Sequence, residues 1–472
     1  MTRVLLVATY ELGQQPGNLA RPAALLAAAG HEVRVLDASI DPWDSELAVW
    51  AEAVAFSVPM HTATRLARDL LATIDVPTCC YGLYAHLCAD VADRTISGEY
   101  ERALVEWVDE PTRLLTHLST VELDRAIPSS AALPVSTVLP VSAVLPLGAP
   151  PSLRALLPPL DRYAHLIEGE GDGDTVRLAA SVETTRGCAH RCRHCPVPVV
   201  YDGRVRVQDE EAVLGDIAQL VAAGATHLTF GDPDFLNAPA HAMRIVRAVH
   251  TAHPQVTFDA TVKVEHVLRH RALWPELAAS GCLFVVSAFE SVDDATLERL
   301  DKGHTTKDAA AAVDVLRAHG IDVRPSFLPF TPWTTRDHIL TLLDFVHDHD
   351  LVASVDPVQY SIRLLLPPGS LLLGHPDMTP YLGEWDAGLL TYRWRSPDPA
   401  MDELQIRLAR AVEELLDRDL PITEIYAQVR EHVGAPAVDL TACTTGRPHL
   451  SESWFCCAEP TRLQRNSLAT KG

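Results

Sequence analysis

Short apolar runs alternate with stretches of helical periodicity along most of the chain. In the first hundred residues, 4–8, 32–37, 53–58 and 78–82 read as strands, while 19–29, 63–74 and 102–108 read as helices, the first closed by Gly30. Such alternation predicts a parallel, doubly wound sheet covered on both faces. Open sheets of this kind take ligands beyond the carboxyl ends of their strands, which points to the loops at 9–18, 58–62 and 82–88. The segment Ser97-Gly98-Glu99, between a short strand and the helix at 102–108, lies near the end of this series.

The texture changes between residues 127 and 159. Leu133-Pro134-Val135-Ser136 recurs as Leu139-Pro140-Val141-Ser142, and Leu145-Pro146 starts a third copy. Proline every six residues suits neither a helix nor a central strand, so a semi-extended linker is expected. A second series follows, with strands at 178–184, 227–230, 256–261, 283–289, 322–327 and 354–360. Helices at 209–223, 240–253, 268–280, 306–319 and 335–348 separate them. Six units are two short of a closed eight-stranded barrel, so an open six-unit partial barrel is predicted, with its site at the carboxyl ends of the strands. Helices at 401–418 and 422–433 precede a cysteine-bearing tail. The domain boundaries read as 1–125, 126–160, 161–370 and 371–472.

Charge and composition narrow the function. The 472 residues carry a net charge of −23, which disfavours nucleic acid and anionic lipid as partners. No run of eighteen apolar residues exists, so no spanning helix is expected. The opening apolar run meets Tyr10-Glu11 at once and reads as a strand, not a signal peptide. Ten cysteines without an export signal belong to a reducing compartment, so a cytoplasmic enzyme is expected. Of these, Cys79, Cys80 and Cys88 read as packing residues.

The motif that fixes the chemistry is Cys188-Ala189-His190-Arg191-Cys192-Arg193-His194-Cys195, three cysteines spaced x3 and x2 in one loop. Three thiolates so close can ligate three irons of a 4Fe–4S cube and leave the fourth open. Zinc would need His190 or His194 as a fourth ligand, and spacing alone leaves both readings open. With the loop directly after the first strand of a βα barrel, the chain resembles the radical S-adenosylmethionine (SAM) superfamily. That resemblance implies a 4Fe–4S cluster on Cys188, Cys192 and Cys195, SAM on its open iron, and an electron donor such as flavodoxin or ferredoxin. Arg186, Arg191 and Arg193 would offset the cluster's charge.

The resemblance covers the whole barrel. Gly231-Asp232-Pro233-Asp234 looks like the motif that holds the methionine amino group, through Asp232 or Asp234. Lys263-Val264-Glu265-His266, Phe289-Glu290-Ser291 and Lys302-Gly303-His304-Thr305 look like features of radical enzymes with a cobalamin-type amino-terminal domain. By the same likeness Glu290 would meet the ribose hydroxyls and Lys263 or Arg324 the methionine carboxylate. Gln359, Arg363 and Pro367-Pro368-Gly369-Ser370 would complete the adenosyl pocket.

The amino-terminal pattern resembles the cobalamin-binding fold, yet the Asp-x-His-x-x-Gly signature is missing, and Thr9–Gly17 offers no histidine. A fold retained without cobalamin is the preferred reading, and a cobalamin-dependent methylase the alternative. Near the end, Cys456-Cys457-Ala458-Glu459-Pro460 matches the signature of the CUAEP/CCAEP-tail radical proteins. That family resembles enzymes that form carbon–arsenic bonds. Cys443, Cys456 and Cys457 would then form a thiol trap for a soft centre such as arsenite. The group transferred to it would be 5′-deoxyadenosyl, ahead of 3-amino-3-carboxypropyl. A non-catalytic metal- or metalloid-binding protein is a further alternative.

Overall fold

Val4, Leu5, Leu6 and Val7 are all completely buried, the environment of a parallel strand covered on both faces. They belong to β1 (Arg3–Ala8), the centre of a parallel sheet that also holds β2 (Glu32–Asp37), β3 (Ala53–Ser57), β4 (Thr78–Gly82), β5 (Arg94–Ser97) and β6 (Thr116–Leu118), in the order β2-β1-β3-β4-β5-β6. The order is flavodoxin-like, and its direction reverses between β1 and β3, where open sheets form a crevice. Cys79, Cys80 and Cys88 are wholly buried in this domain. The computed structural model describes residues 1–111, 151–169, 174–418 and 420–452, and the strand backbones at 116–118 and 138–140. Most of the proline repeat lies outside these residues, as do Cys456 and Cys457.

One piece of the expected linker is ordered as a strand. β7 (Val138–Pro140) runs parallel to β11 (Val205–Val207), which pairs antiparallel with β10 (Thr185–Gly187). β7 is an edge strand of this small sheet, the place where proline is tolerated.

The barrel is a curled seven-stranded sheet in the order β15-β14-β13-β12-β9-β8-β18. Its parallel strands are β9 (Thr175–Val182), β12 (His227–Phe230), β13 (Thr257–Thr261), β14 (Cys282–Glu290) and β15 (Asp322–Phe327). β8 (His165–Glu168) and β18 (His449–Leu450) extend the β9 edge antiparallel to their neighbours. The α/β class and the open barrel stand as expected, but the sixth strand does not form. Residues 352–361 make two 3-10 turns, Val352–Ser354 and Pro357–Ser361, and Pro357 has no N–H for a ladder. The chain still occupies the sixth position, through a single parallel bridge between Phe330 and Arg363. The expected helix at 268–280 is also broken, into Val264–Arg269 and Trp274–Ala279, with Pro275 in the first turn of the second.

Helix Pro399–Leu416 packs against the turn Pro357–Ser361 and against helix Ile422–Val433. It buries Met401, Leu404, Leu408 and Val412 in the core it shares with the barrel, and so covers the side where a sixth ladder is missing. A hairpin, β16 (Leu382–Asp386) and β17 (Thr391–Trp394), carries Leu390 onto the amino-terminal domain beside Tyr84 and Met60. No described helix is long and apolar enough to cross a membrane.

Leu408 has no exposed surface. Leu408→Ala should therefore cost about 2–5 kcal/mol, seen in urea unfolding as a lower midpoint with an unchanged slope.

Candidate active site

The carboxyl ends of the barrel strands and of the amino-terminal sheet face one cavity of about 430 Å³. Its wall includes all three motif cysteines, together with Gly231, Asp232, Asp234, Lys263, Glu290, Lys302 and Arg324 from the barrel. From the other domain come Glu11, Ser57, Gly82, Leu83 and Tyr100.

The cysteine loop starts from a constrained glycine. Gly187 has φ +74°, and a Cβ there would collide with the Arg204 carbonyl oxygen and the Tyr201 ring. Only glycine suits that backbone. The loop closes with Cys195 N–H donating to the Cys192 carbonyl (3.2 Å) and leads into the short helix Val197–Tyr201. Burial, and then the nearby Asp234 carboxylate, push the free Cys188 thiol up to about 11. Positive iron in the site would reverse that preference, because a coordinating thiol is deprotonated outright.

The residues fit a cluster better than zinc. Tetrahedral zinc with bonds of about 2.3 Å would hold its sulfurs within about 4 Å of one another. Among the described residues the three thiols form no such group. The trio of ligand atoms that lie within 4.8 Å of one another is His190, Asp234 and His266. Both candidate fourth ligands are engaged elsewhere: His194 Nε2 meets Glu290 Oε1 at 3.1 Å, and His190 meets Lys263 and His266. The compact trio is itself a chain of polar contacts, of which the His266–Asp234 approach lacks hydrogen-bond geometry. Lys263 Nζ donates to His190 Nδ1 (3.0 Å), His190 Nε2 faces His266 Nε2 (3.3 Å), and His266 Nδ1 lies 2.7 Å from Asp234 Oδ2. An ammonium at one end and a carboxylate at the other orient both rings, and the ammonium opposes a cation among them. Burial and then Lys263 lower the His190 pKa to about 4.

The SAM-side residues divide by what already holds them. Asp232 is buried and accepts from Thr184 N (3.1 Å), Thr184 Oγ1 (2.9 Å) and Thr185 Oγ1, tying the end of β12 to the start of the cluster loop. Burial raises its pKa to about 6. Asp234 caps the turn at Leu236 and turns its other oxygen to the histidines. Glu290 has φ +63°, a left-handed backbone for a non-glycine residue, at a bulge in the β14–β15 pairing. Burial would raise its pKa, but the Lys302 ammonium (3.1 Å) and His194 hold it well below the usual carboxylate range. Arg324 pairs with Asp356 (3.2 Å) inside the barrel. Arg363 is not part of the cavity wall. Its guanidinium lies 3.5 Å from the Trp394 ring centroid and bonds Asp402 (2.6 Å) and the Trp394 carbonyl, a clamp onto helix Pro399–Leu416. Gln359 receives the Phe327 N–H, and Ser370 donates to the Arg193 carbonyl.

The expected counter-charges also change. Arg186 is taken up by Glu101, Glu183 and Glu99, Arg191 by Asp202 near the surface, and Arg193 by the carbonyls of Glu298 and Arg299. Lys302 is the cation buried beside Cys192 and Cys195, whose charges, after that of Glu290, raise its pKa. Its motif was visible in the sequence, but nothing there signalled this role.

The tail cysteine that the structure describes is away from the cavity. Cys443 packs against the barrel's helical core. Thr444 and Arg447 anchor its segment to Asp350, and Arg447 also pairs with Asp322, the first residue of β15. That is the end of the strand opposite the cavity. The chain then climbs through β18, and Glu452 reaches the cavity wall, where it accepts from Tyr10 Oη (2.7 Å).

The amino-terminal crevice offers no axial imidazole on Thr9–Gly17. Beside β4 and β5, Tyr81 and Tyr100 pack with ring centroids 4.7 Å apart. Both hydroxyls bond Asn18, Tyr81 to its carbonyl and Tyr100 to its side-chain oxygen. These residues do not fit a corrin held by a histidine from below.

Residues 182–346, most of the barrel, match the Radical SAM superfamily model, a superfamily that uses a 4Fe–4S cluster and SAM. Over 161 residues the chain is 27% identical to tRNA-2-methylthio-N(6)-dimethylallyladenosine synthase of Pelodictyon phaeoclathratiforme, covering 31% of this chain and 35% of that protein. The chain thus spans about a third of the length of that curated relative. The fold is similar to that of the radical SAM methyltransferase TsrM from Kitasatospora setae (TM-score 0.59, 19% identity, 79% of this chain and 75% of that one). It is also similar to that of the cobalamin-dependent SAM radical enzyme OxsB (TM-score 0.64, 14% identity, 92% and 71%).

Cys192→Ala should abolish iron loading after anaerobic reconstitution. Gly187→Ala should reduce it strongly while leaving every ligand in place, since the loop cannot keep its path. Iron and sulfide per chain measure both. Normal loading in Gly187→Ala would show that the loop backbone is not constrained as described.

Proposed function

We propose that this protein is a radical SAM enzyme that transfers a SAM-derived carbon group to a soft acceptor presented by its tail, with arsenite as the acceptor. The observation that carries this reading is a single cavity walled by the three-cysteine loop, the SAM-side charges and Glu452 of the tail. When bound and reduced, the cluster supplies one electron to the sulfonium of SAM, releasing methionine and a 5′-deoxyadenosyl radical.

The chain's own residues do the positioning. Cys188, Cys192 and Cys195 would hold the cluster, and Lys302 supplies a buried positive charge beside it. Gly231 leaves space at the end of β12, and Asp234 and Lys263, fixed by the two histidines, present opposite charges to the amino and carboxylate groups of methionine. Glu290 is ionised and directed by Lys302 and His194, which suits an acceptor for ribose hydroxyls. Arg324 lies deeper in the barrel as a second cation.

Cys456 follows Glu452 by four positions, a reach of at most about 14 Å. Cys456 and Cys457 are therefore the thiols proposed to hold the acceptor, because soft thiolates favour soft centres and proximity contributes much of the rate. Cys443, anchored at the far end of β15, has a structural place in this scheme. Carbon addition to trivalent arsenic leaves one odd electron, which has to pass to a one-electron acceptor. Cytoplasmic location and a flavodoxin or ferredoxin donor belong to the same proposal.

Cys456→Ser and Cys457→Ser should keep iron content and basal SAM cleavage but lose organoarsenical product, followed by mass spectrometry of anaerobic reactions with arsenite. Product formed at the normal rate by both variants would defeat the tail's proposed role. The likeness to OxsB and TsrM favours a second reading, a cobalamin-dependent methylase of an organic substrate. Protein purified and assayed without cobalamin should be active under the first reading; strict dependence on added cobalamin would establish the second.

A further inference from the structure

The amino-terminal domain touches the chain on both sides of the cluster loop. Before the loop, Arg186 on β10 is buried, two residues from Cys188. Its Nη1 donates to Glu101 Oε1 (2.6 Å), Nη2 to Tyr100 Oη (3.0 Å) and Nε to Glu183 Oε2 (3.1 Å). Its guanidinium also lies 4.7 Å from the Tyr100 ring centroid and 3.8 Å from Glu99. After the loop, Tyr201 Oη donates to Glu99 Oε1 (3.2 Å). Leu83, just beyond β4, packs with Val197, Val200 and Tyr201 in a group that includes Cys188 and Cys195.

Three of these contacts, Glu99, Tyr100 and Glu101, come from three consecutive residues after β5. They lie at the carboxyl edge of the sheet, beside the packed rings of Tyr81 and Tyr100. Part of the edge that an open sheet ordinarily uses for a ligand is here in contact with the neighbouring domain's cysteine loop.

We propose that Arg186 is a positioning residue and that the amino-terminal domain, through Glu101 and Tyr100, acts as the clamp of the cluster loop. The proposal rests on the assignment of the cluster to Cys188, Cys192 and Cys195. A planar guanidinium with three directional bonds to two domains fixes both the position and the tilt of β10, which a lysine could not do. β10 in turn carries Gly187 and the first cysteine. Small displacements of such a loop alter how SAM meets the cluster, and misplacement by about 1 Å can cost about a hundredfold in rate.

The test uses the full chain, reconstituted anaerobically, as Arg186→Met, Glu101→Leu and the double variant. Readouts are iron content, kcat and KM for SAM cleavage, and the electron paramagnetic resonance spectrum of the reduced cluster with and without SAM. Each single variant should lower kcat about 10- to 100-fold, change KM by less than about threefold, and alter the SAM-induced change in the spectrum. The double should be no worse than the poorer single, because the pair acts as a unit. Arg186→Lys should not restore the spectrum. Tyr163→Phe, which removes a different interdomain bond to Asp37 (2.8 Å), should leave kcat and spectrum as in wild type.

Losses that multiply in the double, wild-type spectra and rates in both singles, or an equal loss in Tyr163→Phe would each overturn the clamp. Should the single variants fail to fold, Tyr100→Phe removes one of the guanidinium's three bonds and keeps the ring, and an unchanged spectrum and kcat in it would overturn the proposal. A wild-type chain that binds no iron defeats the cluster assignment itself, an outcome distinct from variants that load and behave as wild type.

Discussion

A buried guanidinium surrounded by carboxylates is one of the groups that join the two halves of this protein, and it is the one next to the cysteine loop. Arg186 cannot be left alone in the interior, and neither can Glu101, which is almost completely buried. Breaking a buried pair by removing one partner typically costs about 3–5 kcal/mol. Burial opposes ionisation of Glu101, yet Arg186 and then Arg21 keep its carboxyl below the usual range. Glu99 has the same burial but a weaker share of Arg186, and its pKa rises to about 7. Arg186 therefore favours one ionised carboxylate, tightly paired, while burial draws the second toward its neutral form. Such an arrangement has few alternatives that satisfy all its members, so it fixes the relative placement of β10 and the segment after β5.

The same principle organises the cavity. Its polar groups come in pairs from different segments: Lys302 with Glu290 at the end of β14, Arg324 on β15 with Asp356, and Lys263 after β13 donating to the His190 ring of the cysteine loop. Each pair bridges neighbouring or facing elements, so the carboxyl ends of β12 to β15 are held by electrostatics as well as by the sheet ladder. Preorganised charge of this kind costs no rearrangement when a ligand arrives. The left-handed Glu290 fits the pattern. A strained backbone persists where its surroundings over-determine it, and its side chain is fixed by Lys302 on one side and the cluster loop's His194 on the other.

Much of the architecture was legible because hydrophobic period survives in the sequence. Strands 32–37, 78–82, 227–230 and 322–327 and the helix at 422–433 occur with the expected bounds, since each is flanked by clear turn or capping residues. The sixth strand misled because Ser354–Tyr360 is apolar enough for a strand, while Pro357 denies it a ladder and helix Pro399–Leu416 covers its place. The cysteine loop stood out in the sequence through its spacing together with its place directly after the first barrel strand. The partners of Arg186 did not: Glu99 and Glu101 are about ninety residues upstream, and no local pattern links an arginine to carboxylates in another domain. Arg363 failed for the converse reason. It follows the sixth unit as an active-site residue would, but Trp394 and Asp402, brought close by the carboxyl-terminal elements, draw it away.

The tail shows how chain path can separate residues that a motif seems to unite. Cys443 and Cys456 are thirteen residues apart, a span that in isolation would let their thiols meet. The intervening segment is fixed, however. Arg447 is paired with Asp322 and Asp350, and His449 and Leu450 pair with β8. These anchors stretch the chain from the amino-terminal end of β15 toward the opposite face, where Glu452 meets Tyr10. For Cys443 to join thiols in the cavity, the Arg447 ion pairs and the β18 ladder would both have to break, for no compensating contact among the described residues. A thiol trap in the cavity is therefore built on at most two tail cysteines, and a third ligand to a soft acceptor would have to come from elsewhere on the wall.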